Sequence, residues 1–389
     1  MADTNRLHNI NTSRILRTIW LNPGISRIKV AELLDLDRST VTKIMQVVLD
    51  RNLVVTAGKN ADQTGVGRRQ ISLKINGDIG VVLGLEVQDT RYSAVITSLS
   101  GNVIHSFDGF FRVNRENLVP HIRDLISRAK DVMADSNIPL LGIGIGLPGI
   151  IDPYTGIIKR SNSLGISTPF MVRDELVRSI PEPVFIENDA NCCCWGELAF
   201  RQENRNRNFM AVLGEFRDYA PDCERLHGLS IGTGLAIRER VLHGDHFTAG
   251  EFRTVYATAQ TGQFTVPYSE LKRLPDDAEV LDRVYSELAR NLAFLVNCVD
   301  LTKVVFTGDL PAHQGRLKEL LEQAIAENWI YDLDRNLIVE FSEDGSRSVC
   351  IGAAGLVVEK FFSVPDMVDR FHELVGYDLF EHIMTQGIL

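Results

Sequence analysis

SRIKVAELLDLDRSTVTKIMQVVLDRN, residues 26 to 52, decides the fold of the amino terminus. It divides into two short helical stretches joined by a tight turn. Ser26 and Asp37 each precede one stretch, and their side-chain oxygens suit the unpaired amides of a first helical turn. After Asp37, residues Val41, Ile44, Met45, Val48 and Leu49 recur at a spacing that buries one face of a helix and frees the other. The freed face carries Arg38, Ser39, Thr40, Thr42, Lys43 and Gln46, which offer charge to phosphates and hydroxyl or amide groups to base edges. Upstream, Thr12 or Ser13 caps a further helix that ends at Leu21, with Ile15, Leu16, Ile19 and Trp20 on one stripe before Asn22-Pro23-Gly24. Downstream, strand-like runs at 53–55 and 71–75 flank a loop containing Gly65, Gly67, Arg68 and Arg69. Segment 1–78 is thus predicted to be a winged helix-turn-helix, mainly α. Its third helix enters a major groove, and its wing brings Arg68 and Arg69 to a minor groove or to flanking phosphates. A small protein–protein module shares the core pattern, but charge, caps, turn and wing agree on DNA.

The charge distribution fits that division. The net charge of -10 over 389 residues argues against a nucleic-acid binder when taken whole. Residues 1–78, however, hold 12 Lys and Arg against 7 Asp and Glu, while the remainder holds 29 against 44. A basic reader is therefore joined to an acidic body. The six cysteines, three of them consecutive at Cys192, Cys193 and Cys194, form neither a disulfide framework nor metal-ligand spacing and suit a reducing cytoplasm. The consecutive trio falls where a helix begins and is expected to be buried packing. No apolar run approaches the roughly 20 residues a membrane span needs, so a soluble cytoplasmic protein with no membrane partner is expected.

From residue 79 the chain becomes strand-rich and punctuated by glycine: VVLGLEV (81–87), SAVITSL (93–99), GNVIHSF (101–107), a helical stretch near 117–134, then LGIGIGLPGIIDPYTGIIKRSNSLG (141–165). PVFIENDANCCCWGELAF (183–200), GLSIGTGLAIRERVLHGDHFTAGEF (228–252), VVFTGDL (304–310) and IGAAGLVVE (351–359) follow. With the head, and above all through GIGLPGIIDPYTG, ENDAN and AGEF in that order and spacing, the chain closely resembles the ROK family of sugar kinases and sugar-responsive repressors, on its repressor branch. The resemblance implies an α/β actin-like, sugar-kinase (ribonuclease H-like) domain over 79–389, with two lobes and a cleft between them, assembled as a homodimer or homotetramer. The first lobe would span about 79–189 plus a C-terminal helix about 365–389, and the second about 190–364.

A sugar kinase needs a carboxylate to accept a hydroxyl proton and backbone amides with a metal-binding carboxylate to hold phosphates. Asp189 stands at the family's general-base position, and with Asn188 it also suits simple hydrogen bonding of a sugar. Glu251 matches another family sugar contact. Asn162, in Ser161-Asn162-Ser163-Leu164, is a displaced counterpart of a family asparagine. These four are the expected effector ligands. The phosphate machinery departs from the family: its Asp-x-Gly-Gly-Thr loop is Glu86-Val87-Gln88-Asp89-Thr90 here, so both glycines that admit phosphate are gone. The second phosphate loop aligns with Gly228-Leu229-Ser230 or, in a shifted register, Gly232-Thr233-Gly234, and a third glycine turn becomes Thr307-Gly308-Asp309. The family's zinc loop is also missing, since Phe252-Arg253-Thr254 follows Gly250-Glu251 with no cysteine between 224 and 297. Arg253 or Thr254 then takes over the contact of the family histidine, or the ligand differs. His243 and His246 read as ordinary polar residues, His246 as a possible cleft lining, and the charged stretch 201–227 as an exposed insertion.

No catalysis, metal or cofactor is therefore expected. The leading expectation is a sugar-responsive repressor that binds a palindromic double-stranded DNA operator as a symmetric oligomer, with a sugar or sugar phosphate as effector. The alternatives are an active ATP-dependent carbohydrate kinase with an accessory DNA-binding head, and a ligand-independent DNA-tethering protein.

Overall fold

The computed structural model describes residues 2–57, 71–201, 207–217, 228–259, 261–331 and 336–363. The head consists of α1 (Ala2–Leu21), α2 (Arg27–Leu34), α3 (Arg38–Asp50) and an antiparallel hairpin of β1 (Val54–Ala57) and β2 (Ser72–Ile75). Both expected caps are present. Ser26 Oγ accepts from Lys29 N, and the Asp37 carboxylate accepts from Ser39 N and Thr40 N at 2.9 and 3.0 Å. Those bonds, with the two hydroxyls that also reach it, hold Asp37 well below the usual carboxylate range. Val41, Ile44, Met45 and Val48 are buried, as the spacing requires. The first helix differs from expectation: it starts at Ala2, and Thr12 and Ser13 lie buried inside it instead of capping it. Short polar side chains are accommodated within a helix once packed, so their presence does not mark its start.

Two sheets form the body, and each has the same strand order. In the first, β3 (Val81–Val87) pairs antiparallel with β4 (Arg91–Ser98), which pairs with β5 (Val103–Phe110). After α4 (Leu118–Met133), β6 (Leu140–Leu147) joins β3 in parallel. Beyond the small hairpin β7 (Ile150–Asp152) and β8 (Ile157–Arg160) and α5 (Val172–Leu176), β9 (Val184–Asn188) joins β6. Helix α6 (Asp189–Phe200) then leads to the second sheet. There β10 (Phe209–Arg217), β11 (Gly228–Ile237) and β12 (Arg240–Val241) are antiparallel neighbours. Past α7 (Tyr268–Leu271) and α8 (Ala278–Val299), β13 (Lys303–Gly308) pairs in parallel with β10. After α9 (Gln314–Glu327), β14 (Ile338–Phe341) extends the sheet, and α10 (Ser348–Phe361) follows. The orders β5-β4-β3-β6-β9 and β12-β11-β10-β13-β14 are one topology used twice.

This corrects the reading of 201–227 as an exposed insertion, because residues 209–217 form the central strand of the second sheet. Its run FMAVLGEF is apolar in the manner of a strand buried on both faces, and the polar residues on either side of it obscured that signal. The strand's carboxyl end carries Glu215 and Arg217. Helix α10 also lies elsewhere than the lobe division suggested: numbered with the second lobe, it packs on β3, β4 and β6 of the first sheet and along α6. The helix expected at 365–389, like the wing residues Arg68 and Arg69, lies outside the described residues. Among the described residues no helix is long and apolar enough to cross a membrane.

Glycine makes the helix-on-sheet contact possible. A Cβ at Gly84 or Gly144 would stand 1.9 Å from the carbonyl oxygen of Cys350 or Ala353 on α10, and one at Gly352 would stand 1.9 Å from Cys192 O on α6. In each case backbone meets backbone, so no side chain can swing aside. Alanine ordinarily favours a helix interior over glycine by about 1 kcal/mol. Gly352→Ala is expected to reverse that sign and destabilise the protein by about 3 kcal/mol, the upper range for forced overpacking, read as a lower urea midpoint.

Candidate functional site

On the head, α3 leaves Arg38, Ser39, Thr42, Lys43 and Gln46 exposed and Thr40 partly so. The six expected DNA-reading residues divide by their bonds. Ser39 Oγ and Thr40 Oγ1 donate to Asp37 Oδ2 at 2.8 Å each, Thr42 Oγ1 donates to Arg38 O, and Gln46 Nε2 donates to Asp50 Oδ1. Arg38 and Lys43 make no side-chain hydrogen bond among the described residues and are exposed.

The head is joined to the end of α10 by an ion pair, a hydrogen bond and a ring stack. Arg17 Nη2 pairs with Glu359 Oε1 at 2.6 Å, Arg17 Nη1 donates to Phe362 O, and Trp20 stacks on Phe362 at 5.0 Å. The cores of the head and of the α6–α10 pair form one continuous cluster.

The cleft is built around the start of α6. Asn188 caps this helix, its Oδ1 accepting from Asn191 N, while its Nδ2 donates to Gly149 O at 3.1 Å. Its neighbour Glu187 is fully buried and accepts from Trp195 Nε1, Asn191 Nδ2 and Asn188 N. His243 Nε2 lies 2.8 Å from Glu187 Oε2. Burial opposes the charge on Glu187, but His243 and these donors outweigh it and hold its pKa below the usual value. Tyr154 meets His243 edge-on at 5.9 Å and Phe247 at 6.0 Å, and Lys159 Nζ stands 4.2 Å over the Phe247 ring. A lone histidine, read from sequence as an ordinary polar residue, is thus tied to the cleft by a carboxylate 56 residues away. The missed signal was the apolar, glycine-flanked setting of His243 in the run that leads to AGEF.

Asp189 is the second component. Its Oδ1 accepts from Ala190 N at 2.8 Å. Burial and then the nearby Glu215 push its pKa up to about 7, and Glu251 adds to the effect. Glu251 is itself raised by desolvation, although the residue is exposed overall. Gly250 holds this acid in place: its φ is +93°, and its carbonyl accepts from both Thr233 N and Thr233 Oγ1. Asn188, Asp189 and Glu251 therefore share one region. Asn162 is exposed, accepts from Arg160 Nε at 3.3 Å, and makes no hydrogen bond to the other three.

Where a phosphate loop would run, the β3–β4 turn is filled by side chains. Gln88 Nε2 donates to Glu86 Oε1 and to Glu215 Oε1, each at 2.6 Å. Arg91 Nη2 donates to the same Glu215 oxygen at 2.5 Å, and Arg217 Nη2 donates to the other at 3.0 Å. Burial first, and then Glu215, lift Glu86 to about 8. Neither glycine-containing alternative for the second phosphate loop is a loop, since residues 228–236 are all laddered to β10 within β11. In the third turn, Asp309 accepts from Phe216 N at 2.9 Å.

At the family's zinc position the side chains do not fit a thiolate-bound metal. Among the described residues no group of three His, Cys, Asp or Glu could hold an ion. A guanidinium gathers the loop instead: Arg253 donates to the carbonyls of Thr258, Thr261 and Gly262 at 2.6, 3.0 and 3.3 Å. Thr254 is buried, its Oγ1 accepting from Asn291 Nδ2. Both suggested stand-ins for the family histidine are therefore engaged within the protein.

Two predictions follow from this chemistry. Because Glu86 titrates higher folded than unfolded, the stability it contributes is complete at low pH and lost as pH rises toward 8. Glu86→Gln should gain on the wild type in Tm progressively between about pH 5 and 9. Arg253→Met should speed amide exchange across 254–262, whereas a strong zinc chelator added to the wild-type protein should leave exchange there unchanged.

Residues 82–215 match the family model described as ROK family, and residues 8–55 match that described as winged helix-turn-helix DNA-binding. A xylose repressor of Caldicellulosiruptor bescii is 27% identical over 380 residues, covering 96% of this chain and 83% of the relative. One from Bacillus subtilis is 30% identical over 222 residues, 54% of each chain. The crystal structure of a ROK family transcriptional regulator, a homologue of the E. coli MLC protein, superposes with a TM-score of 0.71 at 18% identity, covering 90% of this chain and 96% of that one. A ROK family glucokinase from Streptomyces griseus gives 0.56 at 17% identity, over 71% of this chain and 99% of its own. This chain thus carries a ROK-family domain in residues 82–215, preceded by a winged helix-turn-helix in residues 8–55.

Proposed function

We propose that this protein is a sugar-responsive transcriptional regulator, a repressor of carbohydrate-use genes, whose kinase-type cleft binds an effector and does not phosphorylate it. One observation carries the reading. The helix that opens with Asp189 lies against α10, and α10 ends in the Glu359–Arg17 pair and the Phe362–Trp20 stack that hold the DNA-reading head. A ligand bound at Asn188, Asp189 and Glu251 acts on the position of the head through those two helices if it binds one lobe arrangement better than another. The likeness to xylose repressors supports D-xylose as the first effector to try. The protein acts as a homodimer or homotetramer on a palindromic operator, because two equivalent reading helices face equivalent half-sites.

A second reading, an active carbohydrate kinase, draws on Asp189, whose pKa of about 7 suits a general base. Against it stand Gln88 and Asp89 in place of two glycines, with the Gln88 amide committed to carboxylates where phosphates would approach.

Operator DNA selected in vitro from a random pool should lose affinity in the presence of D-xylose or another aldose in a panel. Asp189→Asn should abolish that response while leaving sugar-free DNA binding intact. Lys43→Ala should weaken DNA binding by about tenfold and flatten its salt dependence. Operator affinity indifferent to every sugar would remove the sensor half of the proposal, and ATP-dependent sugar phosphorylation lost in Asp189→Asn would establish the kinase instead.

A further inference from the structure

In a two-lobed kinase the nucleotide itself ties the lobes together, since phosphate-binding loops reach it from both sides. This chain supplies a tie of its own. We infer that Gln88 and Arg91 of the first lobe and Glu215 of the second form a latch that holds the cleft closed without nucleotide, and that its release is the movement by which the cleft opens. As a switch for DNA binding, this rests on the regulator reading above; as a property of the two lobes, it does not.

The geometry is specific. Glu215 lies two residues before the end of the central strand of the second sheet, and the β3–β4 turn follows the central strand of the first. One oxygen of Glu215 takes both first-lobe donors, the Gln88 amide at 2.6 Å and the Arg91 guanidinium at 2.5 Å. The other oxygen is held by Arg217 on its own strand, whose second amino group reaches across to Asp89 at 3.5 Å. Gln88 and Glu215 are each 4% exposed, so water does not replace these bonds while the lobes stay together. Arg91 also donates from Nε to Gln88 Oε1, which fixes the amide so that its nitrogen faces Glu215. Separating the lobes leaves the Glu215 carboxylate with only Arg217, so the charge pair resists opening strongly at short range and not at all once water enters. That behaviour makes a latch with two positions in place of a graded spring.

Its place relative to the cleft follows from the second crossing, His243 on Glu187, which also joins the lobes. Asp189 follows Glu187 by two residues and feels the charge of Glu215, so an effector at Asp189 lies between the two crossings.

The test measures lobe separation directly by double electron–electron resonance, in full-length protein without sugar or DNA. One spin label goes on the exposed native Cys298 of α8 and one on Val132→Cys of α4, in a Cys223→Ser background, the remaining thiols being buried. Arg91→Met and Glu215→Gln should each shift the mean distance to longer values by more than the width of the wild-type distribution. The double variant should open the lobes no further than either single one, since both remove the same bond. Arg91→Lys, which keeps the charge, should restore part of the closed population and guards against a variant that only misfolds. Distances in Arg91→Met and Glu215→Gln that match the wild type would overturn the latch. Failure of the protein to bind DNA or any sugar would leave this measurement unaffected and would count against the regulator reading alone.

Discussion

The structure depends on the direct meeting of two helices with two sheets at backbone distance. Each sheet ends in a helix that leaves it: α6 runs from the first sheet to pack beneath β10 and β11 of the second, and α10 returns from the second to lie across β3 and β6 of the first. The exchange works only because Gly84, Gly144 and Gly352 have no side chain at the crossing points. Even a methyl group at these points would stand 1.9 Å from a backbone oxygen, so the packed elements would have to move apart. The buried thiols of Cys192, Cys193 and Cys194 belong to the same constraint, as small apolar groups on the helix that must fit this gap. Burial raises the pKa of each, which suits packing and not reactivity.

Tight packing beneath the cleft has an electrostatic cost above it. Glu86, Asp189 and Glu215 are brought together at the strand ends, where carboxylates are poorly hydrated and repel one another. Two responses are visible. Glu86 and Asp189 are pushed toward neutrality, to about 8 and 7, while Glu215 keeps company with Arg91 and Arg217. A carboxyl raised in this way can donate a hydrogen bond when neutral and accept one when charged. Both guanidiniums at these strand ends, Arg91 and Arg217, are paired with Glu215.

How much of this was legible in the sequence depends on how far apart the interacting residues lie. The head was readable because caps and helical spacing act within a few residues: Asp37 and its two amides, or Val41 through Val48, declare themselves locally. Strand β3 was readable for the same reason, as an apolar run interrupted only by Glu86. The start of α1 was missed because Thr12 and Ser13 imitate a cap, and β10 because polar flanks masked FMAVLGEF. The site was only half legible. ENDAN marks Asn188 and Asp189 by local pattern, but Arg91 and Glu215 are 124 residues apart and His243 and Glu187 are 56 apart, so only folding pairs them. The Arg253 loop shows the same limit: absent cysteines argue against zinc, but nothing local says that a guanidinium gathers the carbonyls.

The remaining question is why an event at Asp189 should matter to a head on the far side of α10. A rigid seam transmits displacement without absorbing it, because backbone in contact with backbone has no slack to compress. The seam's far end is poised to respond. Glu359 is buried, with one oxygen paired to Arg17 at 2.6 Å and the other without a partner among the described residues. Among the described residues this carboxylate has no second donor, so a displacement that broke the Arg17 pair would leave an unpaired buried charge. The same end of α10 carries Phe362, which stacks on Trp20 of α1. Since α1 shares one core with α2 and α3, any rotation of α1 would carry the reading helix with it.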